Sequence, residues 1–245
     1  VSMNKAFSLV ELSIVLVILG LLTGGILTGQ SLIRAAELRS VVTEFKNYQV
    51  AMQTFRDKYF ALPGDMRNAT DFWGIAGGTT GQDSTCYGTA STDKKTCNGN
   101  GDGMIGTTSS VTQVHERFRF WQHLANAGLI EGTYTGAAGP LGAQHAVVGT
   151  NTPTSRSGGG NGWYTKYSDV NGNYMGVGIT ASTNSSLAPA RLSAEEVWNI
   201  DKKMDDGLPR TGKIFVYPDA APCTDGAGAY LLTDTTKDCT IYFFY

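Results

Sequence analysis

The chain has 245 residues, with 19 basic and 21 acidic side chains and a formal net charge of −2. This balance creates no basic field for nucleic acid, and we predict no nucleic-acid partner. Aromatic residues make up 10% of the chain, which excludes a disordered protein, while 31 glycines indicate a loop-rich fold. About 185 residues follow the first 60, which is enough for one domain with its own hydrophobic core.

The first element is a long apolar helix. No charged residue occurs among the 22 residues from Leu12 to Ile33, which span about 33 Å as a helix. The hydrocarbon core of a bilayer is about 30 Å thick. A secretory signal peptide is the competing interpretation, but its apolar core is shorter and ends at a small-residue cleavage site. Because a second helical stretch follows directly, we expect a membrane-spanning helix.

The second stretch is amphipathic. Its apolar residues recur in steps of three and four, which places them on one face of a helix: Leu38, Val42, Phe45, Tyr48, Met52, Phe55 and Tyr59. No proline occurs before "LPGD", so Pro63 is expected to end the helix near residue 62. We expect this apolar stripe to pack on the remainder of the same chain.

Four glycines weaken the first half of the helix: Gly20, Gly24, Gly25 and Gly29. Each glycine in a helix interior costs about 1 kcal/mol relative to alanine, so this section could stretch or melt outside lipid. The same glycines could instead allow membrane helices to approach each other closely.

Glu11 places a carboxylate in this apolar segment. Such a carboxylate costs roughly 2.5–3.5 kcal/mol near the membrane interior, and a buried charge needs a partner. Lys5 is six residues earlier, a poor spacing for a pair on one helix. A free amine created at Phe7 would lie four residues from Glu11, and in a stack of helices it would meet the Glu11 of a neighbouring copy.

The stretch "KAFSLVELSIVLVILGLL" resembles the class III signal of type IV pilins and pseudopilins. The resemblance implies that a prepilin peptidase cuts between Ala6 and Phe7 and then methylates the amine of Phe7. Glu11 becomes the fifth residue of the mature chain and serves assembly. The family has glycine where this chain has Ala6, which we expect to slow cleavage, and often proline where it has Thr28. The resemblance covers about residues 5–60.

The resemblance implies four segments: a prepilin leader (1–6), a transmembrane and filament-core helix (7–33), an amphipathic helix (34–62) and a globular head domain (63–245). The precursor is expected in the bacterial inner membrane, as a single pass with a cytoplasmic N-terminus. It then enters an extracellular or periplasmic filament. The implied partners are other pilin-like subunits, the prepilin peptidase and an inner-membrane assembly platform.

The expected function is that of a structural subunit, major or minor, of a type IV pilus (a fimbrium) or a related filament. The alternatives are a pseudopilin of type II protein secretion and a membrane-anchored surface binding domain that does not polymerise. Serine-hydrolase, zinc-protease and P-loop motifs and a Cys–His nucleophile pair are absent from the sequence, so we expect no enzyme.

The expected fold class is α+β, in which the long helix packs on a loop-rich head with a small antiparallel sheet and two further helices. The segment "ALPGDMRNATDFWG" resembles one found after the long helix in a subset of pilin-like proteins. Residues 74–112 and 132–165 are expected to be loops, the second a surface loop available for contacts. The periodicity predicts helices at 114–130 and 192–207, with a Ser193–Glu196 capping box in the second, and strands at 174–180, 213–217 and 240–245.

The four cysteines lack the C-x-x-C spacing of zinc and redox sites. Local pairing closes two short loops, Cys86 with Cys97 and Cys223 with Cys239, although three connectivities are open. Free thiols in a reducing compartment are the alternative. Export by the first segment favours disulfides.

The loop "CNGNGDGMIG" matches the first half of a calcium loop. Oxygen ligands stand at positions 1, 3 and 5 and a backbone carbonyl at position 7: Asn98, Asn100, Asp102 and Met104. The usual twelfth-position glutamate is replaced by Ser109, and Glu116 could close the site from the next helix. An extracellular site of this kind would fill at millimolar calcium. The alternative is a turn-rich loop that binds nothing.

Three carboxylates at the end of the second head helix raise a separate question: Asp201, Asp205 and Asp206. They could hold a cation or act in catalysis, and the first use would relieve the repulsion between anions and a helix C-terminus. A solvated helix end followed by a tight turn is the favoured interpretation. His115 and His123 lie eight residues apart, which is no metal-pair spacing, and we expect them to be exposed or to cap a helix.

Overall fold

The computed structural model describes residues 9–106 and 111–245. Its elements in chain order are α1 (Leu9–Tyr59), α2 (Ala69–Trp73), α3 (Ser84–Gly88), α4 (Val111–Asn126), β1 (Asn161–Ser168), β2 (Gly172–Ile179), α5 (Ala194–Met204), β3 (Ile214–Tyr217) and β4 (Thr240–Phe244). The strands form one antiparallel sheet in the order β1-β2-β4-β3. This confirms the expected α+β class, with α4 and α5 as the two further helices and α2 and α3 as single turns.

Helix α1 is continuous over 51 residues. It ends at Tyr59, slightly before the predicted end near 62. Phe60 has a φ of 53°, in the left-handed region that a helix cannot continue through. The chain therefore leaves the helix before Pro63 is reached.

The second half of α1 carries the predicted apolar stripe. Phe45, Met52 and Phe55 are buried, and Leu38 and Val42 pack partly buried against the same core. These contacts confirm that the stripe packs on the head of its own chain.

The inner face of the sheet meets α1 through aromatic rings. The centroid of Phe45 lies 4.5 Å from that of Phe243 and 6.5 Å from that of Trp163, and both pairs are stacked. Tyr48 makes edge contacts to Trp163 at 5.5 Å and to Trp121 of α4 at 5.0 Å. Because each ring buries a large area, these contacts hold α1, α4 and the sheet in one core.

Strand β1 overturns part of one prediction, since its first five residues, 161–165, fall in the stretch predicted as a surface loop, 132–165. The same stretch also contains buried polar residues. Asn151 is 1% exposed, and its amide donates to the carbonyls of Ala137 at 3.0 Å and His145 at 3.1 Å. A Gly/Thr/Asn-rich sequence can be buried when its polar groups are paired internally, which periodicity alone does not reveal.

Helix α4 is buried from His115 to Leu124. The prediction that His115 and His123 are exposed or capping is therefore wrong. His123 is fully buried, where its Nδ1 accepts the N–H of Gly64 at 3.0 Å and its Nε2 lies 2.9 Å from the hydroxyl of Thr96. Burial lowers the pKa of His123 to about 3 and that of His115 to about 4, so both are neutral at pH 7.

Two local predictions are confirmed. Ser193 and Glu196 form the capping box of α5, with the Ser193 hydroxyl accepting from the Glu196 N–H at 3.3 Å and a Glu196 carboxylate oxygen accepting from the Ser193 N–H at 3.0 Å. Both disulfides are present in the local pairing, Cys86–Cys97 and Cys223–Cys239.

Two phenylalanines, one in α1 and one just after its end, provide a test of this packing. We expect Phe45→Ala to lower the free energy of unfolding by about 3–5 kcal/mol, because it removes the ring contacts between α1 and the sheet and leaves a cavity there. Denaturant unfolding of the full chain in detergent, followed by tryptophan fluorescence, measures the change. Phe60→Ala is the matched control, since this ring is 93% exposed and its loss should change stability by at most about 0.5 kcal/mol. Equal losses would contradict the assignment of the core.

Candidate functional site

The first half of α1 has an apolar surface that the head does not cover. Every residue from Leu9 to Thr28 is exposed, including large side chains such as Leu16 and Leu21. From Leu9 to Ile33 the segment is about 37 Å long, which is enough to cross the hydrocarbon core of a bilayer, about 30 Å thick. Within the described ranges, α1 is the helix long and apolar enough to cross a membrane, by length and composition.

The polar groups of this segment suit an apolar environment. The hydroxyls of Thr23 and Thr28 donate to carbonyls one turn earlier, those of Leu19 and Gly24, each at 2.9 Å. A hydroxyl that is satisfied within its own helix costs less in hydrocarbon. A methyl group built on any of the four glycines meets no atom within 4 Å apart from the nearby backbone of α1 itself. The glycines therefore leave low relief on two sides of α1, with Gly20 and Gly24 on one side and Gly25 and Gly29 on another.

Glu11 lies in the first turns of α1, and its side chain is exposed on the apolar helix. Ala6 and Phe7, the residues of the expected cleavage, lie outside the described residues. The structure therefore places Glu11 at the far end of a segment that extends from the head, where a second copy of the chain can reach it.

Arg34 lies on α1 just after the apolar segment and joins it to the head. Its Nε and Nη2 donate to the two oxygens of Glu196 at 2.5 and 2.8 Å, while Nη1 donates to Glu37 at 2.7 Å. The carbonyls of Ser157 and Arg191 accept from the same guanidinium at 2.7 and 3.3 Å. All five N–H groups are thus used, a fit that the planar guanidinium allows and an ammonium does not.

The electrostatics of Glu196 agree with this geometry. Burial raises the pKa of its carboxyl, but the hydrogen bonds from Arg34 and the Ser193 N–H outweigh burial and hold the pKa below its usual value. Because Glu196 also caps α5, the position of α1 is coupled to the start of that helix. The sequence identified Glu196 only as a capping residue, and Arg34 only as the end of the apolar run.

Glu44 forms a second polar junction, about three turns further along α1. One oxygen accepts from the indole N–H of Trp163 at 2.8 Å and the hydroxyl of Ser155 at 2.7 Å, and the other accepts from the N–H of Arg156 at 2.8 Å. Arg34 and Glu44 together fix α1 against the glycine-rich segment before β1.

Three carboxylates form a candidate metal centre, which we call the acidic cluster: Asp65, Asp102 and Glu116. One carboxylate oxygen from each lies within 4.8 Å of the others. Carboxylate oxygens are the ligands that calcium prefers. A cavity of about 660 Å³ between the end of α1 and this loop is lined by Asp65, Gly101 and Gly103 among others, and it gives solvent access to the cluster.

The cluster differs from the predicted ligand set. Glu116 reaches the loop from α4 and Asp102 is present, as the sequence indicated, but Asp65 was not considered. Asn98 is not brought to the cluster, because its side-chain oxygen accepts the N–H of Thr70 at 2.8 Å at the start of α2. The amide of Asn100 is hydrogen-bonded within the loop, to the side chain and N–H of Asp102.

The N–H of Met104 donates to Asp102 at 2.8 Å, so Met104 belongs to the same loop. Ser109, at the twelfth position of the motif, lies outside the described residues. The loop therefore has the turn geometry of the first half of the motif, with Asp65 entering from elsewhere in the chain.

Close backbone approach brings Asp65 to the loop. A side chain at Gly64 would lie 2.3 Å from the carbonyl oxygen of Glu116, and one at Gly99 would lie 2.4 Å from the backbone of Asp65. Only glycine permits both contacts. The Gly-Asp pair in "LPGD" was a signal in the sequence, but it indicated only a turn.

Burial dominates the electrostatics of the acidic cluster. It raises the pKa of Glu116 to about 8, against the hydrogen bonds from the N–H groups of Asn100 and Gly106, and it raises the pKa of Asp65 as well. Neither acid forms an ion pair with a lysine or arginine in the described part of the chain. A divalent cation would supply the missing positive charge and restore the ionised forms.

The second acidic group, Asp201 with Asp205 and Asp206, is occupied by structural hydrogen bonds. Asp201 accepts from the hydroxyl of Tyr230 at 2.6 Å, and Asp205 accepts from the N–H of Ile214 at 3.0 Å. The N–H of Leu208 donates to Asp206 at 2.9 Å. These bonds connect the end of α5 to the turn before β3. Asp206 is exposed there, but Asp201 is fully buried, so the favoured interpretation of a solvated helix end is wrong for Asp201.

Comparison with known proteins found no match to a family model, to a curated protein or to a solved structure.

The Arg34 junction can be tested by substitution. We expect Arg34→Ala to lower the free energy of unfolding by about 2–3 kcal/mol, because it removes both guanidinium hydrogen bonds from the half-buried Glu196 carboxylate and the guanidinium donor from two carbonyls. Chemical unfolding of the full chain in detergent measures the loss. Arg39→Ala removes an exposed arginine from the same helix and should cost at most about 0.5 kcal/mol. If the two variants were equally stable, the Arg34 junction would contribute nothing to the free energy of unfolding.

The acidic cluster predicts a smaller effect of pH on stability in calcium than in chelator. In chelator, the free energy of unfolding should fall by a few kcal/mol between pH 4.5 and pH 8, because the folded state retains the Glu116 proton that the unfolded chain releases at its ordinary pKa. Calcium at about 1 mM should reduce this loss and raise the melting temperature at pH 8 by about 3 °C or more.

Asp102→Asn removes a charge from the exposed side of the cluster and should abolish most of the calcium effect. Glu195→Gln, an exposed acid of α5, should leave it unchanged. A parent protein whose melting temperature at pH 8 is the same in calcium and in chelator has no calcium site here.

Proposed function

We propose that this protein is a structural, pilin-like subunit of a type IV pilus or a related filament, and that it polymerises through the first half of α1. The observation that carries the proposal is the exposed apolar segment Leu9–Ile33, which is as long as a bilayer is thick and has Glu11 as its charged residue. Such a surface is stable in lipid or among other helices, and costly in water.

Storage in the membrane comes first in this proposal. α1 spans the inner membrane and the head lies on the far side, held at the membrane surface by the Arg34 junction. Cleavage between Ala6 and Phe7 then creates a free α-amine, which the prepilin peptidase methylates. A methylated amine keeps its positive charge.

Assembly exchanges lipid for protein around α1. In lipid the Glu11 carboxylate is unfavourable by roughly 2.5–3.5 kcal/mol. In a bundle of parallel helices, the Phe7 amine of an incoming subunit lies close to Glu11 of the subunit before it, and their attraction is strong because the surroundings are apolar. This pairing selects the register in which subunits enter the filament.

The four glycines of α1 support the same assembly step. Gly20, Gly24, Gly25 and Gly29 are open to solvent in the described structure, and small residues let helix backbones approach closely where no water is present. Thr28 stands where many pilins have proline, so the glycines provide the place at which α1 can bend.

The head has a separate role in the proposal. It faces outwards from the bundle of α1 helices, and its size of about 185 residues suits a pilus subunit, major or minor, better than the most abundant pseudopilin. The second candidate, a membrane-anchored binding domain, has the same exposed segment but requires neither cleavage nor the Phe7 amine. We propose no catalytic role for either.

Mass spectrometry of the mature N-terminus separates the two candidates. The chain is expressed in a host with a prepilin peptidase, and the expected product begins with N-methylated Phe7. An uncleaved Ala6–Phe7 bond in a monomeric protein would support the anchored binding domain instead.

Glu11→Ala tests polymerisation itself. At equal expression, we expect at least ten-fold less protein in sheared surface material than for the parent, with the variant retained in the membrane fraction. Glu131→Ala, which removes an exposed acid from the head, should assemble like the parent. If Glu11→Ala chains form fibres as readily as the parent, the proposed pairing is wrong.

A further inference from the structure

The outer face of the sheet, which points away from α1, is covered by aromatic side chains. Side chains alternate between the two faces of a strand. Since Trp163 and Phe243 point towards α1, their neighbours along the strands point outwards. The register aligns the outer residues in rows across the four strands. The aromatic members are Tyr164, Tyr174, Phe215, Tyr217, Tyr242 and Phe244.

These rings form a continuous floor. The centroid of Tyr174 lies 4.8 Å from that of Tyr242 and 5.4 Å from that of Phe244, and Phe215 meets Phe244 edge-on at 5.1 Å. Gly176 lies beneath the ring of Tyr164, where a side chain would come within 2.5 Å of the ring. The ring of Tyr164 therefore lies over β2 at the position where glycine leaves room for it.

A cavity of about 410 Å³ lies on this floor, beside the turn between β1 and β2. We call it the outer-sheet pocket. One side is aromatic, with Phe215, Tyr242 and Phe244 only partly buried, and the other side is formed by the polar turn. The turn contributes Lys166, Ser168, Asp169 and Asn171. The volume of the outer-sheet pocket, and its combination of apolar surface with a few polar groups, are typical of small-ligand sites.

Lys166 provides a positive charge at the edge of this pocket. It is partly buried, and no described residue forms a salt bridge or hydrogen bond with its ammonium group. Burial and the nearby Arg117 lower its pKa, while Asp169 acts in the opposite direction without pairing. A partly desolvated cation without a counter-ion is costly, and an anionic group of a ligand would offset that cost.

We propose that the outer-sheet pocket binds an acidic saccharide, a sugar that carries a carboxylate. The apolar face of a sugar ring lies on Phe215 and Phe244, its hydroxyls bind the polar groups of the turn, and its carboxylate pairs with Lys166. The positive charge of Lys166 complements the carboxylate of the ligand.

Two other ligand classes fit the pocket less well. Single-stranded nucleic acid stacks on aromatic floors, but it requires a row of cations along its phosphates, and the lining has Lys166 and also Asp169. A quaternary ammonium group favours an aromatic cage, yet Lys166 would repel it. Both classes serve as comparison probes below.

The position of the pocket agrees with a role beyond assembly. The sheet separates it from α1, so a filament with α1 at its centre leaves the outer-sheet pocket on the outside. Binding there depends on the head alone, and it would persist in a protein that does not polymerise.

The test measures binding of defined oligosaccharides to the full chain in detergent by isothermal titration calorimetry. The acidic probes are an alginate tetrasaccharide and sialyllactose, and the neutral probe is cellotetraose. We expect at least one acidic probe to bind with a dissociation constant below about 1 mM, at least five-fold more tightly than cellotetraose. An octamer of thymidylate and choline should bind more weakly than the acidic probe.

Three variants assign the binding to the pocket. Lys166→Gln should weaken the acidic probe at least five-fold and leave the neutral one unchanged, and Phe215→Leu should weaken both while keeping an apolar side chain. Lys46→Gln removes an exposed lysine of α1 and should change neither. Circular dichroism and the melting temperature verify that each variant is folded.

Three results would overturn the proposal: neither acidic probe binds, thymidylate or choline binds more tightly than both, or the affinity of a folded Lys166→Gln variant equals that of the parent. None of them bears on filament assembly, which the Glu11→Ala experiment addresses separately.

Discussion

The structure depends on one constraint: a single helix has to be stable in two different surroundings. The head supplies partners only for the second half of α1, and the first half has an apolar surface that the head leaves exposed. Hydrogen bonds within the helix satisfy its backbone, so this half needs no head to remain helical in an apolar medium. The composition changes where the surroundings change, with Arg34 as the first cation after the apolar run.

The junction at Arg34 has a mechanical consequence. A force or a rotation applied to the apolar half reaches the head through Arg34, Glu44 and the rings around Phe45, which are spaced along one side of α1. Two of these contacts are charged and the third is aromatic. Charged contacts of this kind fix direction more than they add stability, while the ring contacts supply most of the free energy. The head is thereby held at a defined angle to the helix.

Local features were predictable from the sequence, and contacts between distant segments were not. The α1 stripe, the α5 capping box and the strands that became β2, β3 and β4 follow from periodicity or from residues a few positions apart. β1 was missed although Trp163, Tyr164 and Tyr167 favour a strand, because aromatic residues on both of its faces hide the alternation and a glycine-rich segment precedes it. The burial of His115 and His123 was missed for a related reason, since loops that cover α4 come from remote parts of the chain.

The acidic cluster shows that contacts between distant segments could not be predicted at a candidate metal site either. The loop motif could be recognised in the sequence. Asp65, however, reaches the cluster through two close backbone contacts at glycines, between segments more than 30 residues apart. The Asn98 side chain binds the start of α2 instead of the cluster. The outer-sheet pocket is likewise formed by rows across four strands whose residues are up to 80 positions apart in the chain. The outer-sheet pocket lies on a surface that α1 does not contact, whereas the acidic cluster opens to a cavity beside the end of α1. If α1 packs in a filament core, the inner face of the sheet is committed to assembly, and any recognition by the head has to occur on its outer face or its loops. The two roles can then change independently, because the sheet lies between them.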